Sequence, residues 1–276
     1  MDIIIENIVR AALLEDLGHG QDITTRCTIL GDEECKSVLR ARDEGVLAGL
    51  DAALSAFTLT DPAFDIEILA KDGQVIKAGQ DIAIITGSAR ATLIAERTAL
   101  NLLIHMSGIA TLTRKYVELA QGTSAKICDT RKTLANLRAF QKYAVRMGGG
   151  HNHRFGLDDA ILIKDNHIAI AGGVDIALNN AKANAGHTVK IEIEVDNLQQ
   201  LEQVLTHGTA DIVMLDNFTV NDLKTAITMI DGRLITEASG NVNLSTVRAI
   251  AETGVDYISI GALTHSAPAF DIGLDI

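Results

Sequence analysis

The sequence predicts an α/β protein, an incomplete parallel β/α barrel of about six strands preceded by an amino-terminal α+β domain. Two observations carry that prediction. Strand-like and helix-like segments alternate regularly from about residue 125 onward, and the first hundred residues lack this alternation. A third observation locates the chemistry, because each strand-like segment of the alternating part ends in, or carries, polar or glycine residues.

The amino-terminal part begins with apolar residues at helical spacing (Ile4, Ile5, Ile8, Val9, Ala12, Leu13), so a helix is expected over Ile3–Leu17, ended by Gly18-His19-Gly20. Short strand-like runs follow at 37–42, 64–70 and 81–86, with Gly45, Gly49, Gly73, Gly79 and Gly87 between or beside them. The stretch from Asp72-Gly73 to Gly79-Gln80 predicts a tight hairpin. A helical pattern over 91–120 leads into the second part, with the domain boundary expected near residue 105, giving domains 1–105 and 106–265.

In the second part, strands are expected at 125–129, 160–164, 189–195, 211–215, 234–238 and 257–260. Helices are expected between them at 174–185, 198–207, 220–230 and 245–253. Strand, helix and strand in repetition mean a parallel sheet, here two strands short of the full eight of a closed barrel. An open doubly wound sheet is the alternative, but no G-x-G-x-x-G follows any of these strands.

Composition narrows the function classes. The chain has 276 residues, 47% of them hydrophobic, enough for one large barrel domain or two ordinary domains. A formal net charge of −12 argues against nucleic acid or an anionic membrane as partner. No apolar run approaches the roughly 18 residues of a membrane span. The start Met-Asp-Ile-Ile-Ile-Glu has no basic region ahead of an apolar one, so a cytoplasmic location is expected. Cys27, Cys35 and Cys128 are an odd set with no C-x-x-C pairing and no histidine at ligand spacing, which predicts buried free thiols rather than disulfides or a zinc site.

Charge is distributed unevenly. Between Lys126 and His167 eight Lys and Arg residues stand against four Asp in a strongly acidic chain. Groups at the carboxyl ends of barrel strands converge on one opening, so what ends each strand is a test of function. The endings are Thr130-Arg131-Lys132, Lys164-Asp165-Asn166-His167, Asp216-Asn217, Ser239-Gly240-Asn241 and Gly261-Ala262, while the third strand carries Glu192 and Glu194.

The planar fork of Arg131 suits a carboxylate, and the point charge of Lys132 suits a phosphate. Lys164 follows four apolar residues, which holds its stem near the core and demands a partner for its charge. Strand alternation puts Glu192 and Glu194 on the inward face, with Glu194 nearer the mouth. With Asp216 it makes a carboxylate pair able to hold Mg²⁺ or stabilise a developing cation. Gly148-Gly149-Gly150 is consistent with a loop closing over ligand or a plain flexible link, followed by His153-Arg154. The last two loops stand where barrels cradle a phosphate on backbone N–H groups. His105, Asn166, His167 and His265 are expected in packing or supporting positions.

Taken together, these residues resemble one family. They are Glu96-Arg97-Thr98-Ala99-Leu100-Asn101, Ser107-Gly108-Ile109-Ala110-Thr111, Asp129-Thr130-Arg131-Lys132-Thr133, the glycine triplet with His153-Arg154, and Leu162-Ile163-Lys164-Asp165-Asn166-His167. They are similar to the quinolinate phosphoribosyltransferases, also called nicotinate-nucleotide pyrophosphorylases (carboxylating). The similarity runs from Leu14-Glu15-Asp16-Leu17-Gly18 to Ser259-Ile260-Gly261-Ala262.

The resemblance implies a homodimer with shared active sites, the carboxyl tail (about 266–276) returning to the first domain. It implies conversion of quinolinate and phosphoribosyl pyrophosphate (PRPP) to nicotinate mononucleotide, pyrophosphate and CO₂ with Mg²⁺, a step of de novo NAD biosynthesis. It assigns Arg131, His153 and Arg154, with Arg97 from the other subunit, to the quinolinate carboxylates. Lys132 and Lys164 serve anionic groups of both substrates, and Glu194 and Asp216 face the ribose and the metal-bound pyrophosphate. Thr130 and the loops Ser239-Gly240-Asn241 and Ile260-Gly261-Ala262 complete the substrate site, the loops taking the 5′-phosphate.

One departure stands out. The family's usual Pro-Gly after Thr-Arg-Lys-Thr is replaced by Ala135-Asn136, where Asn is the residue best able to take over a left-handed conformation from Gly. The alternatives are a same-fold paralogue associated with molybdate transport and a non-catalytic phosphate-binding descendant. The acids Glu194 and Asp216 speak against the latter, since they would hinder simple anion binding.

Overall fold

Helix α1 (Ile3–Leu17) forms where the apolar spacing places it, burying Val9 and Leu13, and Gly18 ends it at φ 52° with its N–H donating to the Leu14 carbonyl at 3.0 Å. The structure, a computed structural model, describes residues 3–19 and 21–276. Gly20 of the expected helix stop, and Met1 and Asp2 of the amino terminus, lie outside the described residues.

The chain continues through α2 (Ile23–Thr28), β1 (Glu34–Ala41), β2 (Gly45–Val46), α3 (Leu50–Thr60), β3 (Asp65–Ile68), β4 (Val75–Ile76), β5 (Asp81–Ser88) and α4 (Ala89–Leu119). There follow β6 (Lys126–Cys128), α5 (Arg138–Met147), β7 (Ile161–Ile163), α6 (Asp165–Ala171), α7 (Val174–Asn184), β8 (Ile191–Val195), α8 (Leu198–His207) and β9 (Ile212–Asp216). The chain ends with α9 (Val220–Ile230), β10 (Ile235–Ser239), α10 (Val247–Ala251), β11 (Tyr257–Ser259), α11 (Ala262–His265) and β12 (Ile272–Asp275).

The chain divides into two compact units. The first comprises the residues up to Arg114 together with Thr133–Gly149 and Leu263–Ile276. Its main sheet is antiparallel with order β12-β1-β5-β3, the chain's last strand pairing Ile272 to Ala41 and Asp275 to Val38. Helix α3 packs against α1 with Ala53, Ala56 and Phe57 fully buried. Each large apolar side chain withdrawn from water this way stabilises the unit by roughly 1.5–3 kcal/mol.

Two expectations in this unit are corrected. The residues from Asp72 to Gln80 are not a hairpin: Gly73 and Gly79, both at φ 84°, make separate turns on either side of β4, which pairs antiparallel with β2. Burial of the thiols holds only for Cys128, since Cys35 is partly exposed and Cys27 is exposed, on a short surface helix. All three are free, as expected.

The second unit, Lys115–Lys132 and Gly150–Ala262, is the incomplete barrel. Its six strands are all parallel, in the order β6-β11-β10-β9-β8-β7, and each coincides with an expected strand to within two residues at either end. Sheet pairing stops between β6 and β7. There the edge of β6 is met by His151 in a single parallel bridge to Cys128, the His151 N–H donating to Ile127 O at 2.8 Å and the Asp129 N–H to His151 O at 3.1 Å.

All five residues of β8 are buried, Ile191, Ile193 and Val195 on one face and Glu192 and Glu194 on the other. Helices α8 and α9 are capped as their sequences require. Asn197 and Thr219 accept from N–H groups in the first turns, and Gly208 and Asp231 close the ends in the left-handed region.

Candidate active site

One cavity of about 460 Å³ opens at the carboxyl ends of the barrel strands. Of the residues singled out from the sequence, Thr130, Arg131, Lys132, His153, Arg154, Lys164, Glu194, Asp216 and Ser239 line it. Leu162, Met214, Glu237 and Ser259 line it as well. Gly240, Asn241, Ile260, Gly261 and Ala262 follow β10 and β11 at the same strand ends but outside this lining, and Arg97 is exposed on α4 in the first unit. A second cavity of about 470 Å³ lies in the first unit, lined in part by Leu13, Leu14, Leu17, Leu59 and Ile94, and holds none of the expected residues.

The charge excess read from the sequence therefore splits. Arg131, Lys132, Arg154 and Lys164 face the cavity. Lys126 lies over the Tyr257 ring at 5.4 Å and Arg146 over Tyr143 at 5.5 Å, while Lys142 is buried in the first unit. The cavity cations have partners that fix them. Lys164, half exposed, places its Nζ 2.5 Å from Glu194 Oε2, which supplies the partner its strand-end position demanded. Arg154 donates through Nη1 to the Ala160 carbonyl at 3.0 Å. Burial, and then the neighbouring Arg131, hold the Arg154 guanidinium below its usual pKa.

Asp129, fully buried behind β6, arranges the next segment. Its Oδ1 accepts the His153 N–H at 2.9 Å and its Oδ2 accepts from Asn152 Nδ2 at 2.6 Å. This holds residues 151–154 along the open edge of the sheet and turns His153 and Arg154 into the cavity. The His153 Nδ1 accepts the Arg154 N–H at 2.8 Å, and its Nε2 lies 3.1 Å from Glu192 Oε2 and 3.5 Å from Glu237 Oε2.

Glu192 and Glu237 stand on the inward faces of β8 and β10 and are only 3% and 4% exposed. Burial and the charge of Glu192 push the Glu237 carboxyl up to about 7. Among the described residues this trio is the one group of at least three His, Cys, Asp or Glu side chains close enough to share an ion, their ligand atoms lying within 4.8 Å of one another. Strand alternation points Glu192 inward without giving it a role, and Glu237 is not among the residues singled out from the sequence. The signal was there, since Glu237 and Ser239 share one face of β10 and both line the cavity.

The phosphate-loop candidates are tied to Asp216. Asn217 Nδ2 donates to Asp216 Oδ2 at 2.6 Å, and Asn241 Nδ2 donates to Asn217 Oδ1 at 3.0 Å. Gly240 sits at φ 91°, where a Cβ would meet Asn217 Oδ1 at 2.2 Å. Gly148, by contrast, belongs to a packed junction in the first unit: its carbonyl accepts from Arg114 Nε at 3.1 Å, and a Cβ there would meet Ala110 O at 2.4 Å. Close packing, rather than a closing flap, accounts for the first glycine of the triplet. Asn136 does adopt the left-handed conformation expected of it, at φ 63°.

Of the four residues expected in packing or supporting positions, His105 is partly buried, whereas Asn166, His167 and His265 are exposed and make only local bonds. His105 bonds Gln141 at 2.9 Å and burial lowers its pKa, His167 Nδ1 accepts the Lys164 N–H, His265 meets Ser266, and the Asn166 N–H meets Asp165.

A parallel β/α barrel whose mouth sets cations against carboxylates defines an α/β enzyme for small polyanionic substrates. The chain belongs to the quinolinate phosphoribosyl transferase family: residues 22–107 match its N-terminal domain and residues 109–275 its C-terminal domain. It is 45% identical to a nicotinate-nucleotide pyrophosphorylase (carboxylating) of Mycobacterium leprae, with 97% of this chain and 95% of that protein covered. It is 42% identical to a probable nicotinate-nucleotide pyrophosphorylase (carboxylating) of Bacillus subtilis, with 99% and 93% covered. The solved structure of NadC from Streptococcus pyogenes is similar over the full chain, with 97% of that chain covered, at 42% identity and a TM-score of 0.95.

Proposed function

We propose that this chain transfers the phosphoribosyl group of PRPP to the ring nitrogen of quinolinate and releases pyrophosphate and CO₂, giving nicotinate mononucleotide for de novo NAD synthesis. The observation that carries this reading is the convergence of Arg131, Lys132, Arg154 and Lys164 with Glu194 and Asp216 on one barrel-mouth cavity, in a chain of this family.

Charge explains the arrangement. Quinolinate brings two negative charges and PRPP several more, and like charges 4 Å apart repel by about 4 kcal/mol at the effective dielectric of a protein surface. The clustered cations offset that repulsion. Arg131 and Arg154 take the quinolinate carboxylates, with His153 in the same wall of the cavity but with both its ring nitrogens engaged by the protein, and Arg97 of the partner subunit joins them in a homodimer with shared sites. Lys132 and Lys164 take anionic groups of both substrates. The loops 239–241 and 260–262 receive the ribose phosphate on backbone N–H groups, and Thr130 completes the substrate site.

Attack of the ring nitrogen on the ribose carbon develops positive charge there, which Glu194 and Asp216 stabilise. Glu194 and Asp216, an all-oxygen donor set, would hold Mg²⁺, which when bound would offset charge on the leaving pyrophosphate. Lys164 on Glu194 and Asn217 on Asp216 aim the two carboxylates before substrate arrives. Once the ring nitrogen is ribosylated and positive, it stabilises the carbanion left by CO₂ loss, so decarboxylation follows transfer. Carbon isotope effects showing CO₂ loss before the C–N bond forms would contradict that order.

The net charge of −12 favours a cytoplasmic enzyme that does not bind nucleic acid or an anionic membrane, and among the described residues no helix is long and apolar enough to cross a membrane. Incubating the purified protein with quinolinate, PRPP and Mg²⁺ tests the proposal. Nicotinate mononucleotide, pyrophosphate and CO₂ are expected in equal amounts, and absence of the nucleotide would refute it.

A further inference from the structure

Two buried acids, Glu237 in the cavity lining and Glu192 outside it, have no part in the chemistry just described. Glu192 and Glu237 meet at the His153 ring, and each leaves one buried oxygen, Oε1, with no hydrogen-bond partner. Burying like charges with unmet oxygens is costly, and an apolar pair of similar size would stabilise the barrel better. What these carboxylates hold explains their presence.

The His153 ring is fixed from three sides. Asp129 holds its backbone N–H, and the Arg154 N–H donates to Nδ1. A ring nitrogen that accepts carries no proton, so the hydrogen of the neutral ring sits on Nε2. That hydrogen faces Glu192 Oε2 at 3.1 Å and Glu237 Oε2 at 3.5 Å. The ring in turn holds the backbone of Arg154, whose guanidinium is pinned to the Ala160 carbonyl at 3.0 Å. A continuous line of contacts thus runs from the buried acids to a cavity cation.

We infer that Glu192 and Glu237 are positioning residues for the diacid half of the pocket, holding the His153 ring as its Nε2–H tautomer and through it the placement of Arg154. This rests on quinolinate as the diacid. A single Glu→Gln change keeps an acceptor for Nε2–H, and its amide donates to the remaining carboxylate, so Gln retains the function. Met at either position keeps the volume and removes the acceptor.

Calorimetric titration with quinolinate alone, together with the KM for PRPP, tests this. Glu192→Met and Glu237→Met are expected to weaken quinolinate binding about tenfold or more, while Glu192→Gln and Glu237→Gln stay within about threefold. The KM for PRPP is expected to shift less than about threefold in all four variants. Met variants that bind quinolinate like the wild type, or that raise the PRPP KM equally, would overturn the inference.

Should the Met variants fail to fold, ¹⁵N NMR of the wild-type His153 ring at pH 7.5 decides. A protonated Nε2 and bare Nδ1 support the inference, whereas the opposite tautomer, or a metal ion found bound by the trio, would overturn it. Wild-type protein that binds quinolinate but forms no nucleotide would refute the reaction and leave this inference standing. Failure to bind quinolinate would remove both.

Discussion

Burial on β10, and then the charge of Glu192, push the Glu237 carboxyl up to about 7, well above an ordinary glutamate. The sign follows from proton binding: the folded state holds this proton more tightly than the unfolded chain, so ionising the group costs stability. The cost is absent below about pH 4.5, grows as pH rises towards about 7 and is complete above it. Glu237→Gln should therefore raise the melting temperature at pH 8 by several degrees and leave it nearly unchanged at pH 4.5. Denaturation at both pH values checks this; equal shifts at both would contradict it. At this scale the cavity's cations and outer acids were legible because strand ends announce themselves. Glu192 and Glu237 were not, since their role arises from strands that are not neighbours in the sheet, bridged by a histidine from a distant loop.

Single bonds and close approaches fix several elements, and two can be tested. Asp129 accepts two hydrogen bonds from the segment that covers the open edge of the barrel, so Asp129→Ala should destabilise the protein by about 2–4 kcal/mol in urea unfolding and weaken quinolinate binding with it. A loss below 0.5 kcal/mol, about that of an ordinary surface change, would contradict the clamp. Gly148→Ala would drive a methyl group into the Ala110 carbonyl, at an expected cost of about 1–3 kcal/mol. A flexible flap would tolerate it, so an unchanged melting temperature would restore that reading. Helices α8 and α9 were legible to the residue because each has an amphipathic stripe and both caps. Helix α3 was not, because seven of its residues are buried and no polar face marks its period. Helix α5 was hidden by its charges, which read as part of a pocket.

The whole chain folds as two units interleaved in sequence: Thr133–Gly149 and the last strand join the amino-terminal unit, although they follow segments of the barrel. Local patterning cannot show such returns, which depend on long-range pairing such as that of β12 with β1. The residues from Thr130 to Lys164 are therefore divided between the two units, and only those of the barrel unit, Thr130, Arg131, Lys132, His153, Arg154, Leu162 and Lys164, line the cavity. Arg97, exposed on α4, is expected to complete the site of a partner subunit. Mixing inactive Arg97→Ala and Lys132→Ala proteins should then restore about a quarter of wild-type activity, through hybrid dimers with one intact site. No recovery after verified subunit exchange would place both residues in the same subunit's site. The central claim, that the barrel-mouth cations receive the diacid for transfer, is tested most directly by the kcat/KM for quinolinate of Arg131→Ala against wild type. A loss of about 30-fold to 1000-fold is expected for a buried charge-assisted pair, and full activity in the variant would contradict the account.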